Sequence, residues 1–189
     1  MAHSQFFVYF LFFQLFIIFF FIGKSYFKYK LNFKDMIIWF TGQPGSGKTT
    51  LANALISHLN NRTPNEKIIN IDGDDLRNIS KNKDYSKEGR IKNISTAISI
   101  MRFLANKNYI CVVSIVAPYK FLRDELKNEF PFIEVYLHTT EIRGREQFFA
   151  DDYEKPDDKN HVKIDTGLLS IEESLDEVLN VYRKMATLA

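Results

Sequence analysis

Eight residues, Gly42-Gln43-Pro44-Gly45-Ser46-Gly47-Lys48-Thr49, fit the pattern G-x-x-x-x-G-K-[ST]. Glycines in such a run let backbone N–H groups turn inward and ring an anion. A lysine at the end of the ring can reach the outer phosphates of a nucleotide, and the next hydroxyl can meet a hard cation that bridges them. The bland alternative is a glycine-rich turn that binds nothing. Context argues against it. Met36-Ile37-Ile38-Trp39-Phe40 reads as a buried strand before the loop, and Leu51, Leu55 and Leu59 recur every four residues after it, one face of a helix. A helix in that place aims its positive end at the same anion. The expected ATP contacts run from Gly42 through Thr50, with Lys48 as the catalytic cation and Thr49 as the Mg²⁺ ligand.

A second group of acids follows a second short strand, Lys67-Ile68-Ile69-Asn70-Ile71, in the run Asp72-Gly73-Asp74-Asp75-Leu76-Arg77. Carboxylates at the carboxyl end of a strand face the crevice where open α/β sheets bind ligands. One of them could hold Mg²⁺ through water or take a proton from an attacking hydroxyl. The structural alternative is an N-cap for the next helix, a role aspartate fills well. Arg90 and Asn93 lie three apart, on one face of a helix marked by Ile91, Ile94, Ile98 and Met101. Spacing alone leaves open whether they meet a ligand or water. The acids Asp151, Asp152, Glu154, Asp157 and Asp158 do not have the spacing of a calcium loop and read as a solvated charge run.

These residues need a scaffold, and the rest of the chain supplies one. After the Asn60–Asn65 loop and the second strand, Tyr109–Val116 is a uniformly apolar third strand ending in the turn Ala117-Pro118-Tyr119-Lys120. A short helix carries Arg123, Asp124 and Glu125; Phe132–Leu137 is the fourth strand and Val162–Asp165 the last. The capping box Ser170-x-x-Glu173 opens a final helix whose buried face is read as Ile171, Leu175, Val178 and Tyr182. Alternating strands and helices after a phosphate loop give an α/β fold of the P-loop NTPase type, a parallel sheet with helices on both faces. A GTPase would ordinarily show Asn-Lys-x-Asp, and Asn82-Lys83-Asp84 is one residue short of it. An ATPase motor needs a longer chain. A small nucleotide or metabolite kinase is the physical default.

With 189 residues and a net charge of +2, the chain is sized for one such domain and a short extension, and nothing marks it as an electrostatic nucleic-acid binder. The single cysteine, Cys111, lies in an apolar run, reads as a core residue, and permits no internal disulfide. The extension is residues 1–35. Phe6 to Ile22 is almost wholly apolar, near the lower length limit for a membrane-spanning helix, and Lys24, Lys28, Lys30 and Lys34 follow it. By the positive-inside rule that arrangement anchors a cytoplasmic catalytic domain. An over-extended reading of the gene is an equal alternative, because the catalytic domain needs nothing before Met36.

From Met36 to the end, the chain resembles the adenylylsulfate (APS) kinases. The likeness rests on the phosphate loop, Asp72-Gly73-Asp74-x-x-Arg77, Tyr85-Ser86, Arg90-x-x-Asn93-Ile94, Ala117-Pro118-Tyr119-Lys120, Phe132-Ile133-Glu134-Val135-Tyr136 and Asp152-Tyr153-Glu154-Lys155-Pro156. Members of that family transfer the γ-phosphate of ATP to the 3′-hydroxyl of adenosine 5′-phosphosulfate, giving PAPS and ADP. The resemblance implies ATP and Mg²⁺ as cofactors and a small-molecule nucleotide as substrate. It makes Asp74 the acid near the attacking hydroxyl, with Asp72 beside it, and gives Arg77, Arg90 and Asn93 the substrate's phosphosulfate and ribose. Tyr85 stands where the family has a phenylalanine stacked on the substrate adenine. Phe148 or Phe149 stands near the second stacking aromatic, and Phe149 is assigned to it here.

Several positions depart from the family pattern. Ala117 replaces a serine proposed to carry a phosphoenzyme, so transfer here is direct. Lys120 replaces an arginine, Ser95 replaces another, and a basic lid motif is missing, with Arg143 and Arg145 as substitutes for its charge. The lost cations make a nucleotide with a smaller or less charged 5′ group the runner-up acceptor. A membrane-anchored nucleotide-binding module without turnover is a third reading. Further partners expected are a membrane, through the extension, and a second copy of the chain in a homodimer.

Overall fold

The computed structural model describes residues 35–156 and 161–187. The apolar run Phe6–Ile22 and the acids Asp157 and Asp158 lie outside them. Among the described residues, no helix is long and apolar enough to cross a membrane.

In chain order the elements are β1 (Ile37–Thr41), α1 (Lys48–Arg62), β2 (Lys67–Asp72), α2 (Gly73–Ser80), α3 (Lys87–Ala105), β3 (Tyr109–Ser114), α4 (Lys120–Asp124), β4 (Phe132–His138), a 3₁₀ turn (Glu146–Phe148), β5 (His161–Asp165) and α5 (Ile171–Thr187). The strands form one sheet in the order β2-β3-β1-β4-β5, and every pairing is parallel. Strand side chains alternate between faces, so a buried parallel strand must be apolar on both. β1 is buried throughout. Its Ile38 and Phe40 join Leu51 and Leu55 of α1 and Val178 and Leu179 of α5 in one core. Its Ile37 and Trp39 join Leu76 of α2, Ile94, Ala97 and Ile98 of α3 and Leu122 of α4 in the other. Cys111 belongs to this second core, and burial pushes its thiol up to about 12.

Beyond one-residue shifts at strand ends, two boundaries and one helix face differ from the sequence reading. The helix α1 absorbs Asn60–Arg62, and Thr63 ends it by turning its hydroxyl back to Leu59 O at 2.8 Å. Strand β3 stops at Ser114, which pairs with Asp72, the last residue of β2, and with Phe40, one before the end of β1. Of the expected α5 face, Val178 is buried and Leu175 and Tyr182 pack against the core, but Ile171 is 49% exposed where it opens the helix; Ser174 and Leu179 are buried as well. The capping box is present in both directions, Ser170 N–H to Glu173 and Glu173 N–H to Ser170.

Candidate active site

The chain leaves β1 and β3 toward opposite edges of the sheet, and a crevice opens where they part. The phosphate loop starts there. Gly42 has φ 143°, and a Cβ on it would lie 2.1 Å from Leu137 O, so only glycine fits against the end of β4. Gly47 caps α1 in the left-handed region at φ 87°, which delivers the first turn of the helix into the crevice. Lys48 is 8% exposed, and its Nζ donates to Gln43 O at 2.8 Å. Burial lowers its pKa from 10.5 to about 8, with Asp72 and Asp74 opposing that shift.

Asp72 serves two purposes that the sequence set against each other. Its Oδ1 accepts from Asp74 N–H at 2.8 Å and caps α2; its Oδ2 accepts from the Thr49 hydroxyl at 2.8 Å and the Ser114 hydroxyl at 2.6 Å. A carboxylate and a hydroxyl side by side at the phosphate ring are oxygen donors suited to Mg²⁺, which takes few protein ligands and completes its shell with water and phosphate. Among the described residues no cluster of three or more acids, histidines or cysteines forms a separate metal site. Asp151, Asp152 and Glu154 are exposed.

From this end a cavity of about 430 Å³ runs to Asp74, Arg77, Tyr85, Arg90, Asn93 and Phe148. Arg77 donates to Asp84 O at 2.7 Å and to Asn82 O at 3.3 Å, pinning the loop that carries Tyr85, and its guanidinium sits 4.3 Å from the Tyr85 ring. Asp84 packs onto Gly89 so closely that a Cβ there would meet its carbonyl at 2.4 Å. Arg90 and Asn93, left undecided by spacing, are buried and line the cavity. Arg90 donates to Tyr85 O at 2.9 Å and to Phe148 O at 2.8 Å, and Asn93 donates to Gly73 O at 3.3 Å.

The second aromatic needs a correction. The Phe148 ring lies 4.8 Å from the Tyr85 ring and lines the cavity. Phe149 leaves the 3₁₀ turn in extended conformation at ψ 147°, is 40% exposed and does not line the cavity. Arg143 and Arg145 line it as well. Arg145 pairs with Asp74 at 3.2 Å, and Arg143 bonds Gly45 O and Thr166 O at 3.1 and 2.7 Å.

Some supports carried no signal in the sequence. Arg123 and Glu134 form an ion pair at 2.7 Å, each 1% exposed, and Arg123 also donates to Ala117 O and Glu154 O at 2.7 Å. A pair so buried costs several kcal/mol, of the order of 3–5, to break from one side. It holds the Ala117 turn, where Ala117 sits at φ 41°, a conformation that costs an alanine roughly 1–2 kcal/mol. Tyr153 OH meets Thr41 Oγ1 at 2.7 Å, and burial raises its pKa. Arg123 and Glu134 are 11 apart on different elements, so no local period could pair them.

The model of the adenylylsulphate kinase family matches residues 34–167. The chain belongs to that family. Adenylyl-sulfate kinase 3 of Arabidopsis thaliana is 37% identical over 121 residues, 62% of this chain and 57% of that protein, so the chain spans little more than half of that relative. The adenylyl-sulfate kinase of Lactiplantibacillus plantarum is 30% identical over 169 residues, 78% of this chain and 80% of that one. The Mycobacterium tuberculosis APS kinase, solved with AMPPNP and APS, shares the fold: TM-score 0.66 at 20% identity, over 78% of this chain and 97% of that one. In this APS kinase family member the phosphate loop, Asp72 and the aromatic pair therefore sit on the fold of the family.

Proposed function

We propose that the chain is an ATP-dependent kinase that transfers the γ-phosphate to the 3′-hydroxyl of adenosine 5′-phosphosulfate, releasing PAPS and ADP. The carrying observation is one cavity with a phosphate loop at one end and an aromatic, arginine-lined pocket at the other, joined at Asp74. Family membership supports the same reading. The loop backbone, Lys48 and Thr49 bind the ATP phosphates, and Asp72 steadies the Thr49 hydroxyl. Mg²⁺, when bound there, neutralises charge between the β- and γ-phosphates. Tyr85 and Phe148 flank the acceptor base, while Arg77, Arg90 and Asn93 shape its pocket. Asp74 orients the acceptor hydroxyl and takes its proton late in a loose transition state. Ala117 offers no hydroxyl, so the phosphate passes directly; incubation with labelled ATP alone should label no protein.

ADP release from the full chain, with APS in a panel of nucleotides, tests the reading. APS-dependent turnover is expected. No turnover with any acceptor would leave a nucleotide-binding module. One observation favours a less charged acceptor as second reading: Arg77, Arg90, Arg143 and Arg145 already hold protein carbonyls or carboxylates. Faster turnover with a nucleotide lacking the sulfate would select it.

We also propose that the kinase domain begins at about Met36, next to the start of the family match at residue 34, and that residues 1–35 form a separate segment. If that segment anchors the protein, the full chain resists alkaline carbonate extraction from membranes. Native protein beginning at Met36 would support the over-extension reading.

A further inference from the structure

Gln43 lies inside the phosphate loop, yet its side chain bonds a distant segment. Its Nε2 donates to Ala150 O at 2.8 Å, and its Oε1 accepts from Ala150 N–H at 3.0 Å. One amide thus takes both backbone groups of one residue, 107 positions away. Just upstream, Arg90 Nη2 donates to Phe148 O at 2.8 Å and Phe149 O at 3.3 Å. The backbone from Phe148 to Ala150 is therefore gripped from the phosphate loop on one side and from α3 on the other. Ala150 is 4% exposed, while Phe149 between the two grips is 40% exposed, so the grips rather than burial of that side chain hold the segment. What they hold in place is Phe148, the ring that faces Tyr85.

The main chain of Gln43 is bonded within the loop. Its carbonyl accepts from Lys48 Nζ at 2.8 Å. A single residue is thus tied through its backbone to the cation of the donor site and through its side chain to the cover of the acceptor site.

We propose that Gln43 is a positioning residue that clasps the Phe148 segment over the acceptor cavity and thereby sets acceptor affinity. The chemistry requires an amide. A carboxylate can accept from Ala150 N–H but sets a second acceptor against Ala150 O. The acceptor arm rests on the kinase reading above; the clasp itself does not.

The test uses the full chain with Gln43→Glu, which keeps shape, and Gln43→Ala. The loop binds phosphate through its backbone, which both substitutions leave in place. The KM for APS should rise about tenfold in both variants, as expected for two lost hydrogen bonds, while the Kd for ATP measured without acceptor on the uncharged Gln43→Ala stays within about twofold. An equal rise in that Kd, or an unchanged KM for APS, overturns the proposal. Hydrogen exchange without any acceptor gives a readout that no turnover is needed for: Ala150 N–H and the following turn should exchange faster in Gln43→Glu, with the sheet unchanged. If the wild type turns over nothing but exchange quickens, the kinase reading has failed and the clasp stands. Unchanged exchange at Ala150 overturns the clasp regardless of turnover.

Discussion

At the phosphate end of the cavity Ser46, Lys48 and Asp72 are 2, 8 and 9% exposed; at the acceptor end Tyr85 is 38% exposed, and the side chains of Asp74 and Arg145 are 64 and 49% exposed. The first end is one contiguous loop wedged between β1 and α1, with its lysine and its hydroxyl already bonded to protein. The second is assembled from α2, the loop before α3, α3 itself and the segment around the 3₁₀ turn. Both are held by hydrogen bonds; the first lies at the end of β1, which joins both cores, while the second is backed through Leu76 and Ile94 by the core on one face, where Arg90 and Asn93 are buried. In the proposed reaction the donor is always a triphosphate, so its end can be built rigidly and buried. The acceptor end would have to tell one nucleotide from another, with Asp74 and Arg77 on α2, Arg90 and Asn93 on α3, Tyr85 on the loop before α3 and Phe148 at the 3₁₀ turn.

The comparison breaks most easily at Lys48. Lys48→Ala removes a buried cation aimed at the transferring phosphoryl group, and turnover should fall by at least about a hundredfold. The fold should survive, since the Lys48 ammonium bonds within its own loop, to Gln43 O, and belongs to neither core. A folded variant with near-normal turnover would falsify the kinase mechanism as drawn.

Asp74 lies where the two ends meet. Asp74→Asn keeps shape but cannot take the proton, and it releases Arg145 from its 3.2 Å ion pair. We expect a loss in kcat of about tenfold to a hundredfold, at the low side of general-base effects because positioning dominates a loose transition state. ATP affinity, measured separately by equilibrium binding, should change far less. Unchanged turnover removes Asp74 from the site.

How much could be read in advance follows the same division. The phosphate loop was legible because its chemistry is contiguous and its glycines have one purpose. The three central strands were legible because a buried parallel sheet leaves apolar runs that little else produces, while the edge strands β2 and β5 showed as shorter runs broken by Asn70 and Lys163. Arg90 and Asn93 were visible as a pair, yet their burial depends on α2 and the 143–150 segment closing over them, which spacing does not encode. The Gln43–Ala150 clasp and the Arg123–Glu134 pair link distant elements, so a single sequence carries no trace of either.

Phe148 and Phe149 show the limit at one-residue resolution. Adjacent aromatics are equivalent to a motif, and the 3₁₀ turn decides between them. Phe148→Ala should raise the acceptor KM about tenfold, given the worth of one stacked base. Phe149→Ala should leave it within about twofold. The reverse pattern in steady-state kinetics would restore Phe149 to the site.

The smallest effect is a matter of pH and separates the two ends by sign. Burial holds the Lys48 pKa at about 8 in the free protein, below the ordinary 10.5. A triphosphate beside it favours the cation and raises that value, so nucleotide binding takes up a proton at this residue. ATP affinity should be greatest below pH 8 and fall about fourfold between pH 7 and 8.5, then further as the free lysine loses its proton. The fold responds in the opposite direction. The unfolded chain holds that proton up to about 10.5, so the Lys48 contribution to stability improves as pH rises from about 8 toward that value. Calorimetry in two buffers of different ionisation enthalpy would read the proton uptake directly. An ATP affinity that stays flat from pH 7 to 9 would mean that Lys48 is not the depressed cation beneath the phosphates.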